Sequence, residues 1–172
     1  METILLTYAP QGGYTEQAAY EIAQKITFAH CTILPGSKLT QKELESYSRI
    51  IIGIATLGND SWNSGRQDPD TVHLQKLITQ VDFTNKKIAL FGLGNAVLYP
   101  SHFIDEVGIF EEHLQSKHAT IIGYTPVSEY TFKDSKAIRG EYLCGLALDY
   151  DTEMHTAQSR ISSWVTQLEK EL

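Results

Sequence analysis

The sequence predicts an α/β fold in which a five-stranded parallel sheet lies between two layers of helices. Five apolar runs of strand length alternate with segments whose apolar residues recur at helical spacing. The third run, Arg49–Ile54, is nearly all isoleucine, as suits a strand covered on both faces. Such alternation implies right-handed crossovers, and hence a three-layer, doubly wound sandwich.

The elements follow in order. Thr3–Tyr8 reads as the first strand. Ala19, Ile22, Ala23 and Ile26 then form a stripe at i, i+3, i+4 and i+7, the mark of an amphipathic helix. Phe28–Leu34 is the second strand. Thr40 and Glu43 have the spacing of a capping box, with Leu39 and Leu44 placed as a hydrophobic staple, so a short helix starts there and ends near Tyr47. After the third strand, Ala55–Asp70 lacks apolar periodicity and is rich in Gly, Asn, Asp and Ser, which predicts a loop. Loops of more than about 12–15 residues are usually functional or disordered. Leu74, Leu77, Ile78 and Val81 mark the third helix, and Lys87–Gly92 the fourth strand. A loop over Leu93–Ser101 leads to a fourth helix carrying Phe103, Val107, Phe110 and Leu114. Thr120–Tyr124 starts the fifth strand, and Ile161, Trp164, Val165, Leu168 and Leu172 stripe the last helix.

The 172 residues are enough for one domain, residues 1–172, with a substantial core, and no repeat or linker divides them. The net charge of −7 argues against nucleic acid, whose phosphates would be repelled, and suits basic protein surfaces. No apolar stretch approaches membrane-spanning length and the first residues carry no basic targeting signal, so a cytoplasmic protein is expected. Cys31 and Cys144 read as buried core thiols, and neither belongs to a CxxC pair. The six histidines form no HExxH motif and no metal-ligand spacing with cysteine.

In open α/β sheets, ligands bind beyond the carboxyl ends of the strands. Three loops there have unusual composition. The first is Ala9-Pro10-Gln11-Gly12-Gly13-Tyr14-Thr15. Its paired glycines and the following helix N-terminus let N–H groups converge on an anion, although a plain βα turn also favours glycine. The loop has no Lys or Arg and no GxxxxGK[ST], which excludes a P-loop nucleotidase. Gly92-Leu93-Gly94 is not a dinucleotide fingerprint, because Val97 stands at the third glycine and the run follows the fourth strand. Ala9-Pro10 and Ala55-Thr56 stand where a response regulator needs acids. The other two loops bring Trp62, Asn95 and Tyr99, fit either to flank an aromatic ring or merely to cap the core. Asp105, Glu106, Glu111 and Glu112 on the fourth helix read as a solvated face.

Across nearly its whole length the sequence resembles the flavodoxin family. Pro10-Gln11-Gly12-Gly13-Tyr14-Thr15 aligns with the family's T/S-x-T-G-N-T, and Ala55-Thr56-Leu57-Gly58-Asn59 with P-T-W-x-x. Phe91-Gly92-Leu93-Gly94-Asn95-Ala96-Val97-Leu98-Tyr99 aligns with F-G-x-G-D-x-x-G-Y. More specific are the run from Thr125 to Ala137, similar to G-Y-x-F-x-x-S-K-A, and Gly145-Leu146-Ala147-Leu148-Asp149, similar to G-L-A-L-D. These belong to the insertion that splits the fifth strand of long-chain flavodoxins.

The resemblance implies strand order 2-1-3-4-5 and a low-potential electron carrier using non-covalently bound flavin mononucleotide (FMN). Pro10, Gln11, Gly12, Gly13, Tyr14 and Thr15 would form the phosphate loop. Thr56, Leu57, Gly58 and Asn59 would flank one side of the ring, with Leu57 on its inner face and Gly58 near flavin N5. Gly92, Gly94, Asn95 and Tyr99 would flank the other side, with Tyr99 stacked on the outer face. Trp62 is a second group placed to take the inner face. Implied partners are flavin- or iron-sulfur-containing reductases and acceptors, met as a monomer without nucleic acid or membrane, with the acids Asp105, Glu106, Glu111 and Glu112 of the fourth helix steering the reductase. Three departures stand out: Pro10 and Gly12 replace hydroxyl residues that contact phosphate, and Asn95 replaces an aspartate beside the pyrimidine edge. Each lost hydrogen bond to a charged group costs roughly 1.5–3 kcal/mol. The alternative function is therefore a protein-binding module with weak or no flavin binding. A flavin-dependent reductase fits less well, because no acid–base pair is evident.

Overall fold

The computed structural model describes residues 2–56 and 68–172. Its main sheet contains β1 (Thr3–Ala9), β2 (His30–Pro35), β3 (Arg49–Ala55), β4 (Lys87–Leu93), β5 (Thr120–Ile122) and, beside β4, β9 (Leu146–Leu148). The order is β2-β1-β3-β4-β5, and every pairing in it is parallel.

The fifth position is shared by two short strands. Lys87, Ile88 and Ala89 of β4 pair with Thr120, Ile121 and Ile122, while Phe91, Gly92 and Leu93 pair with Leu146, Ala147 and Leu148. Residues 123–145 leave the sheet between these halves. They carry β6 (Thr125–Pro126), β7 (Ile138–Arg139) and β8 (Tyr142–Leu143), which form a small antiparallel sheet.

The helices are α1 (Tyr14–Lys25), α2 (Gln41–Ser46), α3 (Pro69–Gln80), α4 (Asp105–Ser116) and α5 (Met154–Glu171). Strand alternation sorts the core onto two faces. Ile4, Leu6, Tyr8, Ile51 and Phe91 pack with Ile22 of α1 and Trp164 of α5. Leu5, Ile50, Ile52, Ile54 and Leu90 pack with Leu74 of α3 and Phe110 of α4. The Thr40–Glu43 capping box forms in full, and both staple residues, Leu39 and Leu44, are buried in one cluster.

Two expectations are corrected. Cys144 is buried, but Cys31 is only half-buried, because β2 is the sheet edge. Burial still pushes the Cys31 thiol up to about 11 and the Cys144 thiol to about 12. Nor do the acids of α4 form one solvated face: Glu112 is exposed, but Asp105 and Glu111 are buried. Asp105 accepts the Lys136 N–H at 2.8 Å. Glu111 accepts from Arg139 Nε at 2.7 Å and from the Tyr124 hydroxyl. Both carboxylates thus fasten the insertion to the body of the fold, satisfying charges that would otherwise be costly to bury.

The insertion is also pinned by apolar contact. Phe103 packs against Phe132 and Tyr130 at ring-centroid distances of 5.2 and 6.2 Å, and the Ser135 hydroxyl donates to the Phe103 carbonyl. Phe103 itself precedes its helix, since Ile104 takes a left-handed conformation (φ 48°) that delays the start to Asp105.

Candidate functional site

The loops at the carboxyl ends of β1, β3, β4 and β9 enclose one groove of about 350 Å³. Of the residues singled out from sequence, Pro10, Gly12, Gly13, Tyr14, Thr15, Thr56, Gly94, Asn95 and Tyr99 line it. Gln11 and Gly92 do not. The Gln11 side chain accepts from the Ser37 hydroxyl at 3.1 Å, away from the lining set. Gly92 lies back in β4 under α4, where a Cβ would come within 2.4 Å of Val107. Leu57, Gly58, Asn59 and Trp62 lie outside the described residues.

At one end of the groove, the chain enters α1 through Gly12 and Gly13, with φ of 82° and 80°. Only glycine takes this backbone without strain, and a Cβ at either position would meet nothing within 4 Å, so the loop is open on its outer side. Gly13 is the N-cap and supplies no side-chain cap. The first-turn amides of Gly13, Tyr14 and Thr15 have no intrahelical acceptor by helix geometry, and they carry the positive end of the α1 dipole. Together they are a donor set able to hold an anion.

At the other end, Asn95 organises the loop after β4. Its Oδ1 accepts the Val97 and Leu98 N–H groups at 3.1 and 2.8 Å, and its carbonyl accepts the Tyr99 N–H at 3.0 Å. This Asx turn sets Tyr99 on the groove wall. Asn95 Nδ2 donates to Asp151 Oδ2 at 3.3 Å, which ties this loop to the one after β9. Thr56 is fixed from both sides: its N–H donates to the Leu93 carbonyl at 2.9 Å, and its Oγ1 accepts the Glu106 N–H at 3.2 Å.

Sequence reasoning missed the loop after β9. Tyr150 and Asp151 line the groove, and the Tyr150 ring lies 5.3 Å from the Tyr14 ring. The Tyr150 hydroxyl donates to Glu21 at 2.5 Å; burial first, and then that carboxylate, raise its pKa far above the usual tyrosine range. Asp149 caps both loops: Oδ2 accepts the Ala96 N–H at 3.0 Å, and Oδ1 accepts the Thr152 N–H at 2.9 Å. The available signal was Asp149 at the end of Gly145–Asp149, the carboxyl end of the fifth strand's second half.

The donor set, the aromatic walls and the size of the groove suit a phosphorylated planar aromatic molecule. No group of His, Cys, Asp and Glu among the described residues is arranged to hold a metal, and no described helix is long and apolar enough to cross a membrane. Fold and groove together define an α/β protein with a mononucleotide-type site at the switch point of strand order, between β1 and β3.

Comparison with known proteins agrees. The family profile described as flavodoxin matches residues 6–164. Flavodoxin from Nostoc sp. is 36% identical over 166 residues, covering 96% of this chain and 95% of its own length. Flavodoxin from Synechococcus elongatus is 34% identical, with coverage of 99% and 98%. The crystal structure of Fusobacterium nucleatum flavodoxin bound to flavin mononucleotide superposes with a TM-score of 0.88 at 24% identity, covering 100% of this chain and 99% of that one. The chain belongs to the flavodoxin family, and its split fifth strand gives it the long-chain form.

Proposed function

We propose that this protein holds one FMN non-covalently in the groove and carries electrons at low potential, as a monomer, between a flavin-containing reductase and flavin or iron-sulfur acceptors. One observation carries the reading: a single groove is lined both by Gly13, Tyr14 and Thr15, at the helix start that no side chain caps, and by the aromatic residues Tyr99 and Tyr150. FMN supplies reversible electron uptake. The chain's own residues bind and orient it. The first-turn amides and the Thr15 hydroxyl take the phosphate, Tyr99 flanks the ring, and the loop ordered by Asn95 lies beside its polar edge. Residues 57–59 are proposed for the facing side by family resemblance alone.

Beside the groove, Val97 and Leu98 are 69% and 67% exposed. Exposed apolar side chains at the mouth of a redox site suit brief docking of a partner, with the net charge of −7 steering a basic surface towards it.

A coupled assay tests the proposal. With FMN-loaded protein, a flavin-containing reductase, its nicotinamide cofactor and a cytochrome acceptor, cytochrome reduction is expected to depend on the concentration of this protein. The protein alone is expected not to oxidise the nicotinamide cofactor. Turnover by the protein alone would identify a reductase, and failure to take up flavin would identify a protein-binding module.

A further inference from the structure

Two carboxylates from outside the loop after β1 already engage its amides. Glu16, in the first turn of α1, accepts the Gly12 N–H through Oε2 at 3.1 Å. Its other oxygen accepts the Tyr8 hydroxyl at 2.5 Å, and Tyr8 is buried, so Glu16 is anchored to the core. Asp70, in the first turn of α3, accepts the Gln11 N–H at 3.0 Å. The bonded amides directly precede Gly13, Tyr14 and Thr15, the donors left for a phosphate. No Lys or Arg lies between Ala9 and Thr15 or among the described residues lining the groove.

A phosphate monoester carries a charge of about −1.5 to −2 at pH 7. At the start of α1 it meets two negative groups hydrogen-bonded to the same loop, and two fewer free amides. The ring end of the groove is formed by Tyr99 and Asn95, on the loop after β4, and neither carboxylate bonds to that loop. Accepting the FMN reading above, we infer that Glu16 and Asp70 act as internal anions that set the phosphate preference of the groove. They stabilise the loop while lowering its affinity for the phosphate, so removing either charge widens the margin by which the groove prefers FMN over riboflavin, which lacks that group. Both are specificity-determining residues that act through the loop amides and do not touch the ring.

The test is flavin fluorescence quenching of the full-length apoprotein titrated separately with FMN and riboflavin. Glu16→Gln and Asp70→Asn each remove a charge and keep a carbonyl oxygen able to accept the same amide. Each is expected to lower the FMN Kd about tenfold and to leave the riboflavin Kd within about twofold. Equal changes for both flavins, or no change for FMN, overturn the inference. The two variants lie on different helices, so misfolding of one leaves the other informative. If neither flavin quenches with the unaltered protein, the FMN reading fails and inorganic phosphate decides the inference alone. Backbone amide shifts of Gly13–Thr15 should then report tighter phosphate binding in both variants, and unchanged binding overturns it.

Discussion

The Cα of Gly108 in α4 lies against the Lys136 carbonyl of the insertion, so close that a Cβ would stand 2.2 Å from the oxygen. The glycine is the recess into which residues 135–137 settle, next to the Asp105–Lys136 and Glu111–Arg139 contacts. Gly108→Ala gains about 1 kcal/mol of helix propensity, but a methyl group forced against backbone costs more. We expect a net loss of about 1–3 kcal/mol, read as a lower urea midpoint with an unchanged slope.

A second expectation concerns pH. Glu106 Oε2 is buried without a hydrogen-bond partner. Burial raises the Glu106 carboxyl above its ordinary 4.5, with nearby Lys136 opposing the shift and Asp105 adding to it. The folded chain therefore binds this proton more tightly than the unfolded chain. The associated stability is complete below about pH 4.5 and is lost as pH rises through the higher folded value. Glu106→Gln should be more stable than the unaltered protein at pH 8, by about 1 kcal/mol, the low end of the cost of an unpartnered polar group. The gap should close at pH 4. Thermal unfolding at the two pH values measures both, and a gap independent of pH contradicts the assignment.

The third concerns the redox potential. Asn95 donates to Asp151 at 3.3 Å in the groove wall. Asn95→Asp keeps the acceptor of the Asx turn but sets a second carboxylate beside Asp151 and beside the proposed flavin edge. Reduction then adds negative charge next to more negative charge. Potentiometric titration of the FMN-loaded variant should show a reduction potential more negative by roughly 20–60 mV, up to about tenfold in the one-electron equilibrium. Adding Asp151→Asn should recover part of the shift.

Much of this architecture was legible because its signals are local. The isoleucine run of β3 announces a strand covered on two faces, and Thr40 with Glu43 announces a helix start, which the structure completes. The acids of α4 were misread because their partners lie far along the chain: Asp105 meets Lys136, and Glu111 meets Arg139. A clue was present, since Glu111 falls on the same stripe as Val107 and Leu114. Tyr150 and Asp151 escaped notice because the insertion hides the carboxyl end of the fifth strand from a linear reading. The carboxylates on the phosphate loop were equally hidden, Asp70 because it arrives from another helix and Glu16 because it resembles an ordinary acid in a helix's first turn.

The central claim is that backbone amides at the start of α1, with Tyr99 opposite, grip a phosphorylated flavin. The most direct measurement is the stoichiometry of FMN binding, from fluorescence quenching and the visible spectrum of the reconstituted protein. A yellow complex is expected, saturating at one FMN per chain and weakened by Tyr99→Ala. A protein that stays colourless in excess FMN, with flavin fluorescence undiminished, would contradict it.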